Sequence, residues 1–189
     1  LLLQIKQETE GLDEMVRNLL AITRIDAGAL ELRRDWTDLR EIVDRIANAA
    51  RRRGARQRIE VALPADLPLV RADATLIEQA IGNVIGNAGV HTPSETRVLI
   101  DALVGPQDIA LRVTDDGPGI PAQALPQIFD KFVKADTAQG DGGRGTGLGL
   151  AIAKGIMEAH GGSIAAESPH MNGRGTRIVL TFPRQDVPA

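Results

Sequence analysis

The sequence has no cysteine, so disulfide bonds and thiolate metal sites are excluded. It also lacks any apolar run near the roughly 18 residues of a transmembrane helix, and no secretory signal peptide is visible. Basic charge is not in excess, because the formal net charge is -3, which argues against charge-driven binding to nucleic acid. A domain of this size buries roughly 70% of its unfolded surface, so it needs no covalent cross-link to fold.

The N-terminal segment shows a helical pattern that is already under way at Leu1, and Gly28 is its predicted stop. Residues spaced alternately three and four apart would form one stripe along this helix, here called its seam: Leu2, Ile5, Thr9, Leu12, Val16, Leu19 and Thr23. This spacing is typical of a helix packed in a bundle, although an amphipathic helix on a globular core would share it. We therefore expect a fragment of a longer protein, with a helix over residues 1–28 and a connector over residues 29–36.

Residues 37–186 are predicted to form one α+β domain, in which a single sheet layer packs against helices. The pattern predicts three helices, one capped by Thr37 or Asp38 and ending near residue 53, one capped by Asp73 over residues 74–90, and one over residues 146–160. It predicts strands over residues 59–63, 98–104, 109–113, 163–167 and 177–182. Residues 121–132 are expected to be helical or irregular, and residues 135–144 to form a mobile loop.

Two asparagines, Asn83 and Asn87, lie four residues apart on the second of these helices and therefore share a face. A carboxamide oxygen is a hard, neutral ligand that suits Mg²⁺, which keeps waters and phosphate oxygens in its shell. The alternative is a pair of polar residues on a helix surface. The small apolar neighbours favour a specific role, since the helix is otherwise apolar around them.

A strand is followed by Asp115-Asp116-Gly117-Pro118-Gly119-Ile120. A carboxylate only accepts hydrogen bonds, so Asp115 can accept the exocyclic amine of adenine but not the keto oxygen of guanine. Glycines let a flat base lie against the backbone. The competing interpretation is a simple turn, because Asp, Gly and Pro favour turns without any ligand.

A second glycine-rich segment, Gly145-Thr146-Gly147-Leu148-Gly149, opens an apolar helix. Amides at a helix N-terminus bind phosphate through hydrogen bonds and the helix dipole. A P-loop is excluded because no Lys-Ser or Lys-Thr pair occurs in the chain. A Rossmann fingerprint is excluded because no strand directly precedes the glycines, and a plain connector is disfavoured by the apolar helix that follows.

In this order, the segments resemble the N, G1, F and G2 boxes of sensor histidine kinases, with Ile128-Phe129-Asp130-Lys131-Phe132 as the F box. Gly173-Arg174-Gly175-Thr176 resembles the closing G3 box, and residues 19–28 resemble the end of the dimerisation hairpin. The resemblance covers nearly the whole chain and points to the ATP site shared with gyrase, Hsp90 and MutL. The F box, Leu63-Pro64 with Pro68, and His160-Gly161-Gly162 further resemble the osmosensitive potassium-channel (KdpD-type) kinases.

The resemblance implies a Bergerat-type fold, which is a two-layer sandwich of a mixed sheet against helices, preceded here by a long helix from the dimerisation hairpin. It implies ATP and Mg²⁺ as ligands, Asn87 as the metal ligand, and Asn83 as a catalytic residue near the γ-phosphate. It makes Asp115 the adenine reader, supported by Thr176. The remaining residues expected to bind the nucleotide are Gly117, Gly119, Ile120, Phe132, Gly145, Thr146, Gly147, Leu148 and Gly149.

The resemblance also implies a phosphoacceptor histidine upstream of Leu1, so this fragment is not expected to phosphorylate itself. His91, His160 and His170 have the wrong neighbours and are expected to be structural or surface residues. The intact protein is expected to be a homodimer in the bacterial inner membrane, anchored through missing N-terminal parts. Its cytoplasmic domain would bind the missing hairpin and a response regulator receiver domain.

One residue departs from the family pattern, since Val90 stands where the N box usually has a lysine. Lys131, Lys134 or Arg144 could replace the missing charge. The departure supports an alternative, in which the domain is a non-enzymatic signalling module that binds nucleotide weakly or not at all. An Hsp90-like or MutL-like ATPase is disfavoured, because neutral Asn83 is a poor general base for activating water.

Overall fold

A computed structural model describes residues 15–133, 146–170 and 173–185. The helices are α1 over residues 15–26, α2 Leu39–Arg52, α3 Ala74–His91 and α4 Gly149–Ala159, with a short 3-10 helix at Leu125–Gln127. The strands are β1 Asp35–Thr37, β2 Arg58–Ala62, β3 Val70–Ala72, β4 Arg97–Val104, β5 Asp108–Asp115, β6 Ser163–Glu167 and β7 Thr176–Pro183. Within these ranges no helix combines the length and apolarity needed to cross a membrane.

Five strands form one mixed sheet in the order β2-β4-β5-β7-β6. β2 runs parallel to β4, and the other neighbouring pairs are antiparallel. β1 and β3 form a separate antiparallel pair. Helices α2, α3 and α4 pack against the sheet, so the predicted α+β class and mixed sheet are confirmed.

The alternation of side chains along β7 shows why the helices cover one face of the sheet. Ile178, Leu180 and Phe182 are buried, and the residues between them are half-buried. Successive side chains of a strand point to opposite faces, so these three join the hydrophobic core with the inward residues of β4 and β5. The other face carries polar pairs such as Arg112 Nε with Asp101 Oδ1 at 2.5 Å.

Aspartate caps begin two of the helices at the predicted residues. Asp38 Oδ1 accepts a hydrogen bond from the backbone N–H of Arg40 at 2.8 Å and begins α2. Asp73 Oδ1 accepts from the N–H groups of Thr75 and Leu76 at 3.1 and 3.2 Å and begins α3. Such caps satisfy amides that have no acceptor within the helix. The N-terminus of α3, the helix with both asparagines, is therefore firmly fixed.

The predicted connector ends earlier than expected. Asp35 and Trp36 lie in β1 and pair with β3, whereas residues 29–36 were expected to lack regular structure. Thr37 is not a helix cap, because its hydroxyl donates to the carbonyl of Ala72 in β3 at 3.0 Å. β1 and β3 were missed because strands of three residues are too short to show a period of two.

Helix α1 has two different faces. Ile22 is 5% exposed and Ile25 packs against the core, so one face lies on the α+β domain. Val16 and Leu19 of the predicted seam are 49% and 51% exposed. The helix ends as predicted at Gly28, whose φ is 61°. The part of the predicted helix over residues 1–14 lies outside the described residues.

His160 joins the end of α4 to the start of α3. Its Nε2 accepts a hydrogen bond from the backbone N–H of Asp73 at 3.0 Å, and its Nδ1 lies 2.8 Å from the carbonyl oxygen of Ile156. Only the neutral ring with its proton on Nδ1 makes both bonds. The side chain is 4% exposed, so the prediction of a structural role for His160 is confirmed.

The connector is bonded to the same junction. The backbone N–H of Arg33 donates to Asp73 Oδ2 at 3.0 Å. Arg34 Nη2 donates to the carbonyl oxygen of Ala159 at 2.8 Å, which places a cation at the C-terminus of α4, where the helix dipole favours it. The segment that leads from α1 into the domain is therefore held at the ends of both α3 and α4.

The junction predicts a pH dependence of stability. Burial lowers the pKa of His160 below its ordinary value of 6.5, and Arg34 lowers it further, while the bond to Ile156 and the charge of Asp73 oppose the shift. Below pH 6.5 the unfolded chain therefore binds a proton that the folded chain does not. We expect the free energy of unfolding to be highest above this pH and to decrease as the pH falls toward the lowered value.

Urea unfolding at a series of pH values from about 7.5 to about 5.5 measures the free energy of unfolding as a function of pH. His160→Gln keeps polar groups at the site but does not titrate, so its stability should depend less on pH than that of the wild type. Equal pH dependence in the two proteins would contradict the assignment of the effect to His160.

Candidate functional site

Asp115 is the last residue of β5, which extends two residues beyond the predicted strand end at residue 113. It faces the helices, because it continues the inward row of Ile109, Leu111 and Val113. Thr176, its partner in the pairing with β7, is 7% exposed and continues the inward row of that strand. The structure thus brings these two predicted site residues together at the edge of the core.

The carboxylate of Asp115 is held by backbone donors. Oδ1 accepts a hydrogen bond from the N–H of Gly117 at 2.9 Å. Burial raises the pKa of Asp115, whereas hydrogen bonds from the backbone N–H groups of Gly117 and Thr176 lower it. A half-buried carboxylate that retains acceptor capacity suits a ligand with a hydrogen-bond donor.

Its neighbour Asp116 has a different position. Asp116 Oδ1 accepts a hydrogen bond from the backbone N–H of Arg97 at 2.9 Å, and its own N–H donates to the carbonyl of Arg97 at 3.2 Å. The residue is exposed and closes the end of the β4–β5 pair. Of the two adjacent aspartates, Asp115 is therefore the one that faces the helices.

Gly117 lies where the strand end meets the C-terminus of α3. A Cβ at this position would be 2.8 Å from both Asp115 Oδ1 and Thr92 Cγ2. Real Cβ atoms almost never approach other atoms so closely, so the loop needs glycine here. Thr92 itself is fixed, because its hydroxyl donates to the carbonyl of Ala88 at 2.7 Å.

The two asparagines of α3 are half-buried, and Asn83 contacts the start of α4. Asn83 Nδ2 donates a hydrogen bond to the carbonyl of Gly149, the first residue of α4, at 3.1 Å. This bond leaves the carboxamide oxygen of Asn83 as an acceptor. The structure therefore brings the predicted N box and the predicted phosphate loop into direct contact.

The segment before α4 differs from the prediction. α4 begins at Gly149 and not at Thr146, since Gly147 has a φ of 67°, which is outside the helical region. The carbonyl of Gly147 accepts from the N–H of Phe132 at 2.9 Å, and Phe132 itself has a φ of 64°. Thr146 Oγ1 accepts from the N–H of Leu148 at 3.3 Å. A backbone bond therefore joins the F box to the G2 box.

The predicted binding residues differ in which of their groups are accessible to a ligand. The Leu148 side chain is 1% exposed and belongs to the core, so only its backbone can face a nucleotide. Ile120 packs against the core, and Phe132 is 64% exposed. Gly145 and the predicted mobile loop over residues 135–144 lie outside the described residues.

The lysine of the F box is paired with an aspartate of α1. Lys131 Nζ lies 2.5 and 2.6 Å from the two carboxylate oxygens of Asp26, at the end of α1. Of the three proposed replacements for the N-box lysine, Lys131 is therefore occupied elsewhere, and Lys134 and Arg144 lie outside the described residues. Val90, which stands at the lysine position, is 50% exposed.

Sequence reasoning missed two residues that shape the site. Ser168 Oγ accepts from the backbone N–H of Ile120 at 2.7 Å and donates to the carbonyl of Gly175 at 3.0 Å. Gln57 Nε2 donates to the carbonyls of Gly89 and Thr92 at 3.0 and 3.2 Å, at the C-terminal end of α3. No periodicity or motif spacing marks either residue, because their partners are distant in the chain.

A family model described as histidine kinase-, DNA gyrase B- and HSP90-like ATPase matches residues 72–186. A solved structure, the mycobacterial sensor histidine kinase MprB, is 30% identical to the chain with a TM-score of 0.71, and the alignment covers 81% of this chain and 100% of that one. The chain thus belongs to the histidine kinase, gyrase and HSP90-like ATPases, and within them to the catalytic domains of sensor histidine kinases.

Two further relatives cover nearly the whole chain. The sensor protein KdpD of Escherichia coli (strain K12) is 34% identical over 185 residues, which are 98% of this chain and 20% of KdpD. The structure of full-length ShkA in complex with AMPPNP is 26% identical with a TM-score of 0.81, and covers 98% of this chain and 38% of ShkA. The chain spans about one fifth of the length of the KdpD proteins that it matches.

The close approach at Gly117 predicts the effect of a single methyl group. Gly117→Ala should weaken ADP binding by about tenfold or more, because overpacking of this kind costs about 1–3 kcal/mol and must displace either Asp115 or Thr92. Titration calorimetry with ADP measures the loss. Gly86→Ala is a matched control on α3, since a Cβ there meets nothing within 4 Å. Unchanged ADP affinity in Gly117→Ala would show that the loop adapts without cost.

Proposed function

We propose that the chain binds ATP with Mg²⁺ and transfers the γ-phosphoryl group to a histidine on another segment of the intact protein. The observation that carries this proposal is the convergence on one edge of the core of Asp115, the start of α4 and the asparagine face of α3. Asp115 is a backbone-held acceptor, and Asn83 contacts the residue at which α4 begins. We propose that the carboxylate reads the base and that the helix start binds the phosphates of the same nucleotide.

In this proposal Asp115 accepts a hydrogen bond from the exocyclic amine of adenine. The hydrogen bond from the N–H of Gly117 keeps the carboxylate oriented before the base arrives. Gly117 and Gly119 have no Cβ, so a flat base can lie directly against their backbone. Ile120 and the exposed Phe132 supply apolar surface beside the loop.

The phosphates are proposed to lie at the N-terminus of α4. The first N–H groups of a helix have no acceptor within it, and the helix dipole adds positive potential there. The backbone of Thr146, Gly147 and Leu148 leads into this helix start, and Gly145 would extend the same loop. Catalysis of phosphoryl transfer rests mainly on such positioning and electrostatic stabilisation.

Asn87 is the proposed metal ligand, and the donor set fits Mg²⁺. A carboxamide oxygen is a suitable hard ligand, and Mg²⁺ typically takes one or two protein ligands and fills its shell with phosphate oxygens and waters. When bound, the ion neutralises charge on the β- and γ-phosphates. Asn83, one helical turn earlier, is held by its Nδ2 bond to Gly149, and its carboxamide oxygen can accept a hydrogen bond from a reacting group.

The acceptor histidine is proposed to lie outside this sequence, in the other helix of a dimerisation hairpin to which α1 belongs. His160 cannot serve, because both of its ring nitrogens are engaged in the core. The exposed seam of α1, with Val16 and Leu19, is the surface that would pack in the hairpin and in a homodimer. Transfer from the phosphohistidine to a response regulator receiver domain belongs to the same proposal, as does membrane attachment through other parts of the protein.

The non-enzymatic alternative has one specific observation in its favour. Val90 offers no charge at the N-box lysine position, and Lys131 is paired with Asp26. A module with weak nucleotide binding would still use the same fold to signal through contacts. Labelled ATP separates the two functions. The kinase reading requires that a second chain carrying the complete hairpin acquires acid-labile phosphate only when this domain is added.

Base selectivity follows from the role of Asp115. We expect ATP and ADP to bind and GTP not to compete, because guanine sets a keto oxygen against a carboxylate and leaves both without a donor, at a cost of about 1–3 kcal/mol. Competition titration against a fluorescent ATP analogue measures the ratio of the affinities for ATP and GTP. Asp115→Asn should weaken ADP binding and reduce the preference for adenine. Equal competition by GTP in the wild type would exclude this role of Asp115.

The metal role of Asn87 predicts an effect that depends on the buffer. Asn87→Ala should weaken ATP binding by about tenfold in Mg²⁺, equivalent to about 1.4 kcal/mol, and much less in EDTA, because the residue acts through the cation. Asn48→Ala, on the exposed part of α2, is the control and should change neither. Equal losses in both buffers would mean that the substitution damages α3 itself.

A further inference from the structure

Two loops meet beside Asp115, and Ser168 lies between them. The first loop contains Gly117 and Ile120, and the second contains Gly175. They are joined directly by a hydrogen bond from the N–H of Gly175 to the carbonyl of Gly117 at 2.9 Å. The hydroxyl of Ser168 forms the second connection, since it accepts from the N–H of Ile120 at 2.7 Å and donates to the carbonyl of Gly175 at 3.0 Å.

The hydroxyl of Ser168 is closely surrounded by the two loops. A Cβ on Gly119 would lie 3.0 Å from Ser168 Oγ and 3.3 Å from the carbonyl oxygen of Gly175, so the first loop lies directly on the serine. Ser168 is half-buried, and its hydroxyl uses its proton for Gly175 and a lone pair for Ile120. Loss of the hydroxyl would remove this acceptor from the N–H of Ile120, whereas the carbonyl of Gly175 would keep the hydrogen bond from the N–H of His170 at 3.2 Å.

The two connections act on the donors that orient Asp115. Gly117, whose N–H donates to Asp115 Oδ1, precedes Ile120 in the first loop. Thr176, whose backbone N–H lowers the pKa of the same carboxylate, directly follows Gly175. The loops that carry both donors are therefore tied to each other through Ser168, although no contact joins Ser168 to the carboxylate in the hydrogen bonds of the described residues.

We propose that Ser168 is a positioning residue for base recognition, which aligns Asp115 with the adenine amine by tying the Gly117–Ile120 loop to the Gly175 turn. This inference rests on the proposed nucleotide function. It separates the residues that read the base from those that hold the phosphates, because within the described residues the hydroxyl of Ser168 bonds Ile120 and Gly175 and not α3 or α4. Removal of its hydroxyl should therefore affect the base and spare the triphosphate.

The experiment compares ADP with inorganic tripolyphosphate, both with Mg²⁺, by titration calorimetry. Ser168→Ala should raise the Kd for ADP by about three- to tenfold, the range for one lost hydrogen bond, and should leave tripolyphosphate within about twofold. Ser168→Thr keeps the hydroxyl and should restore ADP binding. Ser163→Ala, an exposed serine on β6, is the matched control and should change neither ligand. Ser168→Cys keeps the volume and should behave as Ser168→Ala does if the alanine variant does not fold.

Three outcomes would overturn the inference, and they differ from one another. Equal weakening of ADP and tripolyphosphate would show a merely structural role. Unchanged ADP affinity in a folded Ser168→Ala or Ser168→Cys protein would show that the direct Gly175 to Gly117 bond suffices. Failure of the wild type to bind ADP at all would reject the proposed function itself, and with it the role of Ser168.

Discussion

The pairing of β5 with β7 is the contact on which the site depends. Its register sets Asp115 opposite Thr176, at the ends of two inward rows whose other members are apolar. A slip by one residue would turn Ile109, Leu111 and Val113 out of the core. Burial of those three side chains contributes several kcal/mol, far more than one hydrogen bond to the carboxylate. The hydrophobic alternation therefore fixes the position of Asp115 at the edge of the core.

Local signals in the sequence were sufficient for most of the fold. Asp73 was predicted as a cap, and Asp38 as one of two candidates with Thr37, because an N-cap needs only a short side-chain acceptor and a following helical pattern. The hairpin of β4 and β5 follows from two alternating runs around Gly105 and Asp108. The glycine-rich segments and the asparagine pair were recognisable because each requires particular residues at a fixed spacing. Features of this kind are decided within about ten residues of chain, where propensity and periodicity act.

The parts that could not be predicted depend on contacts between distant residues. Ser168 binds Ile120 across 48 positions, and His160 binds Asp73 across 87 positions. Both partners are backbone N–H groups, which every residue except proline carries, so nothing in the sequence marks them as partners. Only the folded sheet and helices bring these groups together. The start of α4 at Gly149 is of the same type, since the conformation of Gly147 is tied to the bond that it makes with Phe132.

Helix α1 contacts the domain through interactions of unequal strength. The ion pair of Lys131 with Asp26 is short, but both side chains are about half exposed, and pairs of this kind contribute about 0–1 kcal/mol. The packing of Ile22 and Ile25 removes apolar surface from water and contributes more, at about 1.5–3 kcal/mol for each fully buried side chain. One ammonium group cannot neutralise both Asp26 and a phosphate. Since the ion pair is the weaker attachment, Lys131 can leave Asp26 while the apolar face keeps α1 on the domain, so its charge and the docking of the helix are separable.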